Sequence, residues 1–318
     1  MAILAGLVAD IGGTHARFAL ADVAGHFLVP KTYLCRDHPD LGSALATYLA
    51  ETGARDPRRA AICVAGPVTD GRAVLTNHPW AIDADGLGIE QVSVVNDFAA
   101  LALALPNLRA DDLYHLGGPT DGTPAPLAVM GPGTGLGVAG LLPHLGVNGV
   151  IATEGGHMTA APRNDAEARI IDALALRFGH VSYERLVSGQ GLENIHGVLA
   201  AEAGRTDDLD RTAPEITAAA LTEDDPLARR ALDHFFGFLG SAASDMALAL
   251  GARGGLFLAG GILPGLQQVL AMSSFHARFI DKGRFHDYLA AVPVHLIVHP
   301  NPAFVGLTRL LRARGQGE

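Results

Sequence analysis

The sequence is short of positive charge. Lysine occurs only at Lys31 and Lys282, there is no basic run, and the formal net charge is −10. Proteins that grip a nucleic-acid duplex or an anionic membrane surface display a basic patch, so neither partner is expected. Cysteine is equally scarce. Cys35 and Cys63 stand outside any Cys-x-x-Cys spacing, which excludes a thiolate zinc cluster and fits a reducing, cytoplasmic compartment. No apolar run reaches the about 18 residues of a membrane span; "FAALALAL" at 98–105 has the length of a core helix. The N-terminus has no basic region followed by a cleavage site, and it runs straight into a strand pattern. Common catalytic motifs are missing too. Lys31 follows Pro30 and Lys282 follows Asp281, so no Gly-Lys-Ser/Thr P-loop exists. There is no Gly-x-Ser-x-Gly elbow and no His-Glu-x-x-His pair. "GPGTGLG" at 131–137 spaces its glycines alternately between two strand patterns, unlike the strand-to-helix turn of a Rossmann fingerprint.

What is present suits two α/β domains. The chain has 318 residues, 49% hydrophobic and 18% charged, enough for two cores. "GLVADI" and "ARFALAD" flank a Gly-Gly-Thr turn, and "HFLVPKTYLC" (26–35) reads as a third strand. Leucines at 41, 45 and 49 with Gly53 as a stop predict a helix over 40–53. Strands are expected at 60–66 and 92–95, and a helix from Asp97. The pattern then recurs. "PLAVMGPGTGLGVAGLL" (126–142) is again strand, glycine turn, strand; helices follow at 164–178, capped by Asn164, and at about 225–250. A strand ends in two glycines at 254–262, another covers 293–299, and a last helix covers 302–314. Two similar halves, each opened by a glycine-tipped hairpin, predict a duplicated architecture with a cleft between lobes. Residues 107–124 read as the crossover.

The chemistry of the hairpins is legible. Glycines let backbone N–H groups approach phosphate oxygens without a Cβ in the way. Thr14 and Thr134 can each add a hydroxyl, while Asp10 can hold Mg²⁺, mostly through water. A plain hairpin explains either turn alone; two in matching places favour a nucleotide. Asn96 and Asp97 lie just past a buried strand, where open α/β sheets bind ligands. Taken alone, the pair is better explained as an ordinary helix cap, which is compatible with a site. "TEGGH" reads alone as a glycine turn. Its Glu-x-x-His spacing would suit a metal only on a helix, which Gly155 and Gly156 disfavour.

"DIGGT" (10–14), "GTGLG" (133–137) and "LAGGI" (258–262) resemble the two phosphate loops and the adenosine loop of the sugar-kinase, actin and heat-shock-chaperone ATPases. With "TNHPWAID" (76–83), "VVNDFAALA" (94–102), "EGGH" (154–157), "YERLVSGQGL" (183–192), "DKGRF" (281–285) and "VHLIVHPNPAFVGL" (294–307), the chain resembles the bacterial glucokinase family from residue 4 to about 311. The resemblance implies a two-lobed, actin-like (ribonuclease H-like) α/β fold with duplicated βββαβα domains and a central cleft. It implies a small domain of 1–107 plus 302–318, a large one of 108–301, and a homodimer. It further implies ATP-dependent phosphorylation of glucose at O6. Asp97 would be the general base. Asn96, Glu154, His157 and Glu184 would hold the sugar, with Glu184 coming from the next helix. Asp10, Ile11, Gly12, Gly13, Thr14, Thr134, Gly135, Gly260 and Gly261 would meet ATP, and Asp10 would hold Mg²⁺ through water. Closure of the lobes on the sugar would keep water from the γ-phosphate.

His15, Pro132, Thr153 and Gln190 depart from the family pattern without removing a chemical group. Rival readings are a kinase for fructose, mannose or N-acetylmannosamine, and a non-catalytic sugar sensor. The zinc-bearing neighbouring family would need clustered cysteines. A DNA-binding repressor would need a helix-turn-helix ahead of a strand that is expected by about residue 3.

Overall fold

The computed structural model describes residues 4–54, 57–75, 78–222 and 225–315. Thr76 and Asn77 of the "TNHPWAID" stretch and the terminal residues 1–3 and 316–318 lie outside the described residues. The chain divides into two compact units. Residues up to 109, 141–152 and from 299 onward make the first, and 110–140 with 153–298 make the second. The segment 141–152, placed in the large domain from sequence, groups here with the first unit.

The first hairpin is β1 (Leu4–Ile11) and β2 (His15–Asp22), extended by β3 (Phe27–Leu34). Then come α1 (Leu41–Thr52), β4 (Arg59–Val64), a small antiparallel sheet of β5 (Val68–Thr69), β6 (Arg72–Val74) and β7 (Ala81–Asp83), then β8 (Gln91–Asn96) and α2 (Asp97–Ala104). The main sheet has the order β3-β2-β1-β4-β8, with β1 antiparallel to β2 and parallel to β4. α1 starts and stops where its sequence signals lie. Asp40 accepts the Ser43 N–H at 2.7 Å, and Gly53 takes the left-handed φ of 67° that a side chain would resist.

The remaining elements are β9 (Leu113–Gly117), β10 (Leu127–Pro132), β11 (Leu136–Leu141), β12 (Val150–Thr153), α3 (Asp165–Phe178), α4 (Gly189–Glu202), α5 (Ala213–Thr222), α6 (Pro226–Leu250), β13 (Gly255–Leu258), α7 (Gln267–Met272), α8 (Phe275–Ile280), α9 (His286–Ala290), β14 (Val294–Ile297) and α10 (Pro302–Gly315). The second sheet has the order β12-β11-β10-β13-β14-β9. Without the antiparallel edge strand β9 it repeats the order of the first sheet: third, second, first, fourth, fifth. The expected crossover at 107–124 contains that edge strand. The second core gathers on α6, whose Phe235, Phe236, Phe238 and Leu239 are fully buried. Asp225 caps this helix with bonds from the Leu227 and Ala228 N–H groups, just before Pro226.

In the first unit, α2 is apolar around its whole circumference, and Phe98–Ala104 are all buried. One side meets β4 and β8, and α10 covers another. The crossing is close because α10 carries Gly306. A Cβ there would stand 1.9 Å from the Ala100 carbonyl oxygen. Gly306→Ala is therefore expected to destabilise the protein by about 1–3 kcal/mol through overpacking, where an exposed helical glycine would gain about 1 kcal/mol from the same change. Urea unfolding of the two proteins distinguishes these outcomes by the sign of the midpoint shift.

Candidate active site

In the first unit, sheet register builds the surroundings of Asp10. Asp10 lies opposite Arg17 on β2 and beside Cys63 on β4, so both neighbours share its face of the sheet. Arg17 Nη1 donates to Asp10 Oδ2 at 3.1 Å, and the Cys63 thiol donates to Oδ1 at 3.4 Å. A quarter of the Asp10 side chain remains exposed. The turn beyond it closes with the Gly12 N–H on the His15 carbonyl at 2.9 Å. Cys35 braces this turn: its N–H donates to the Thr14 carbonyl and its thiol to the Gly12 carbonyl. Ile11 is buried under the turn, whereas Thr14 is exposed at its tip.

β8 delivers Asn96 and Asp97 to the start of α2. Asn96 is the capping residue: its Oδ1 accepts the Phe98 N–H at 2.9 Å and the Ala99 N–H at 3.4 Å. Its Nδ2 donates to the Gly66 carbonyl at 3.1 Å, leaving one amide hydrogen for a ligand. Asp97 is the first helical residue, and its Oδ1 also accepts the Phe98 N–H. Desolvation by burial pushes the Asp97 carboxyl from 3.8 up to about 6. The Phe98 N–H opposes this shift and the Asp10 charge adds to it. Burial, with the charges of the same two carboxylates adding to it, holds the Cys63 thiol well above its ordinary range, hence protonated.

The second unit assembles the other expected residues around its own hairpin. The turn at Gly133–Gly135 closes with the Gly133 N–H on the Gly135 carbonyl at 2.8 Å, and Thr134 is exposed at the tip, as Thr14 is in the first hairpin. Gly260 and Gly261 adjoin it. The Ala259 N–H donates to the Met130 carbonyl, and a Cβ on Gly260 would stand 2.3 Å from the Pro132 carbonyl oxygen. Gly260 has φ 93°, which also favours glycine. Glycines again set the turn at Gly155–His157. A Cβ on Gly155 would meet Met246 Sδ at 2.6 Å, and one on Gly156 would meet the Leu136 carbonyl oxygen at 2.1 Å. Thr153 takes part here, its hydroxyl accepting the Gly155 N–H.

Glu154, His157 and Glu184 converge. His157 Nε2 is 3.9 Å from Glu154 Oε2, and His157 Nδ1 is 3.9 Å from Glu184 Oε1. These separations exceed hydrogen bonds, and the side chains are 77%, 58% and 30% exposed in the order Glu154, His157, Glu184. The three therefore offer acceptors and donors to a polyhydroxylated ligand. Glu184 lies on a single 3₁₀ turn, Tyr183–Arg185, and not on the following helix as the sequence reading had it. The cause is local: Ser188 caps α4 and, through its Oγ, donates to the Glu184 carbonyl at 2.8 Å, so the helix starts only at Gly189.

Several positioning residues escaped the sequence reading. Arg17 was within reach, because hairpin symmetry about Gly12–Thr14 pairs it with Asp10. Cys63 was not, since its place depends on strand order. Buried Tyr183 donates to Asp245 Oδ2, and Lys282 Nζ donates to Asp245 Oδ1 at 2.6 Å. The Asp245–Met246 step of α6 thus supports both the Tyr183–Glu184 turn and the Gly155 turn.

No group of three or more His, Cys, Asp or Glu among the described residues is spaced to hold a metal ion. A magnesium ion at Asp10 would thus draw its other ligands from water and phosphate. That fits its preference for a mostly hydrated shell, and the repulsion that the Asp10 charge exerts on Asp97 fits a cation.

Two sheets of one strand order, each opened by a glycine hairpin, define an actin-like ATPase fold. A solved glucokinase from an Antarctic psychrotroph superposes with a TM-score of 0.85 and 37% identity over 96% of this chain and 98% of that one. A glucokinase of Streptomyces griseus, solved in complex with glucose and AMPPNP, shares the fold at a TM-score of 0.64 and 20% identity, over 98% of this chain and 99% of that one. The profile described as Glucokinase matches residues 7–314. The glucokinase of Paramagnetospirillum magneticum is 45% identical over 311 residues, 96% of this chain and 97% of its own. The chain belongs to the glucokinase family.

The raised Asp97 pKa has a stability consequence. Asp97 is charged in the folded protein only above about pH 6, whereas it ionises near 3.8 when unfolded. Its contribution to stability is therefore full below pH 3.8 and is lost as pH rises through about 6. Asp97→Asn is expected to be more stable than the parent by about 2–3 kcal/mol at pH 7.5, with the gap shrinking at pH 4.5. Chemical denaturation of both proteins at the two pH values checks this.

Proposed function

We propose that Asp97 is the general base of glucose phosphorylation in this chain. Membership of the glucokinase family makes the reaction transfer of the γ-phosphoryl group of ATP to O6 of glucose, giving glucose 6-phosphate and ADP. The observation that carries the residue assignment is the Asp97 carboxyl: fixed at a helix start behind Asn96, raised to about 6 by burial, and beside the Asp10 hairpin. Such a group is mainly ionised at neutral pH, yet its affinity for a proton exceeds that of an ordinary aspartate.

Phosphoryl transfer needs positioning and charge neutralisation more than covalent help. Asp97 would orient the 6-hydroxyl and accept its proton late in the transfer. Asn96 would offer its remaining amide hydrogen to a neighbouring hydroxyl. Glu154, His157 and Glu184 would hold the anomeric side of the ring. The backbone of Gly12, Gly13 and Thr14, with Thr134 and Gly135, would meet phosphate oxygens, and Gly260 and Gly261 would meet the adenosine. Magnesium bound with ATP would neutralise phosphate charge, held by Asp10 through water. The family resemblance also supports a homodimer and a cytoplasmic location, and both belong to this reading.

ATP-dependent product formation on glucose, mannose, fructose, N-acetylglucosamine and N-acetylmannosamine tests it. Glucose 6-phosphate should dominate, and Asp97→Asn should lower kcat by roughly 10²–10⁴-fold while sugar binding persists. In the parent enzyme kcat/KM should fall below a pH of about 6. Near-normal turnover by Asp97→Asn would overturn the base assignment. Faster turnover of another sugar would move the substrate.

A further inference from the structure

We infer that Glu184 links sugar binding to nucleotide binding, one carboxylate oxygen anchoring the second phosphate loop while the other meets the sugar. The inference rests on the functional reading above for what the two groups bind. The anchoring stands on the geometry of the second unit alone.

Glu184 Oε2 accepts the Leu136 N–H at 3.0 Å, at the point where the Gly133–Gly135 turn becomes β11. The carboxylate lies directly over Gly135, where a Cβ would stand 2.4 Å from Oε2. A second bond joins the same two segments, from the Gly189 N–H to the Gly133 carbonyl at 2.9 Å. The segment carrying Glu184 is itself held: Ser188 Oγ donates to the Glu184 carbonyl, and Tyr183 donates to Asp245. The other oxygen, Oε1, faces His157 Nδ1 at 3.9 Å, too far for a hydrogen bond and open to a hydroxyl donor.

One carboxylate therefore serves two neighbours. A sugar hydroxyl on Oε1 would restrict the side-chain torsions of Glu184, which are the same torsions that keep Oε2 on the Leu136 N–H. The first ligand orders Glu184 and the second finds it ordered, so each tightens the other by one common factor. A residue acting only on the sugar would leave nucleotide affinity untouched when no sugar is present.

Calorimetric titration with AMPPNP plus Mg²⁺ and with glucose, each alone and then together, distinguishes these cases. In the parent protein glucose should tighten AMPPNP. Glu184→Ala should weaken AMPPNP about tenfold without any glucose, the worth of one charge-assisted hydrogen bond, and should abolish the mutual tightening. Glu184→Gln keeps an acceptor for the Leu136 N–H, so AMPPNP affinity alone should stay within about twofold while glucose affinity falls. Gly135→Ala, whose methyl group displaces the carboxylate, should weaken glucose binding with no nucleotide present. Hydrogen exchange over 131–141 should quicken in Glu184→Ala while the rest of the chain stays protected. Parent-like AMPPNP binding by Glu184→Ala, or parent-like glucose binding by Gly135→Ala, overturns the inference alone. A parent protein that binds neither ligand overturns the functional reading and the inference with it.

Discussion

The dehydration of one carboxylate governs the first unit. Asp97 stands, half-buried, at the head of a helix with no polar face that packs between a sheet and α10. A charge in that place needs local compensation. The N–H groups at the start of α2 supply part of it, and Asn96 fixes where they point. Asp10 works against it from the neighbouring hairpin, and Arg17 on β2 draws off some of the Asp10 charge. Ordinary strand pairing delivers these opposing influences. Shifting β2 by one residue would turn Arg17 to the other face of the sheet and leave Asp10 without its partner.

In the second unit the governing constraint is close backbone approach. The Gly133–Gly135 turn, the Ala259–Gly261 exit from β13, the Gly155–His157 turn and the Tyr183–Arg185 turn meet within a few residues of one another. Where a side chain would collide with a carbonyl or with a neighbouring side chain, the chain carries glycine at 131, 135, 155, 156 and 260. They allow Glu154 and His157 on one turn to face Glu184 on another, and they put the Leu136 amide within reach of the Glu184 carboxylate. The cost is conformational entropy in the unfolded chain. The long, well-capped α6 offsets it by holding Met246 under one turn and Asp245 under another.

Much of this was legible in the sequence because it is local. Both hairpins follow from an apolar run, a glycine turn and a second apolar run. α1, α3 and α6 are capped by Asp40, Asn164 and Asp225 and carry helical spacing inside. The Asn96–Asp97 pair was ambiguous between cap and site, and the structure divides the roles: Asn96 caps, while Asp97 is the half-buried first residue of the helix. The strands β9 and β12 were not legible, being short and without clean alternation. Glu184 was read as a helical residue because nothing nearby announces a delayed helix start; the Ser188 hydroxyl that causes it looks like any serine. Asp245 and Lys282 support Tyr183 from far along the chain, a relation that no local pattern carries.

The two cysteines sit on the same small region of the first unit, Cys35 under the Gly12–Thr14 turn and Cys63 against Asp10. Both are fully enclosed, and burial raises both thiols above their ordinary pKa. Neither is therefore a surface nucleophile in the folded protein. The rate at which a thiol reagent modifies them is set by how often the hairpin and its neighbouring strands open. The chain thus carries, without any engineered label, two reporters of local opening at the loop that carries Asp10.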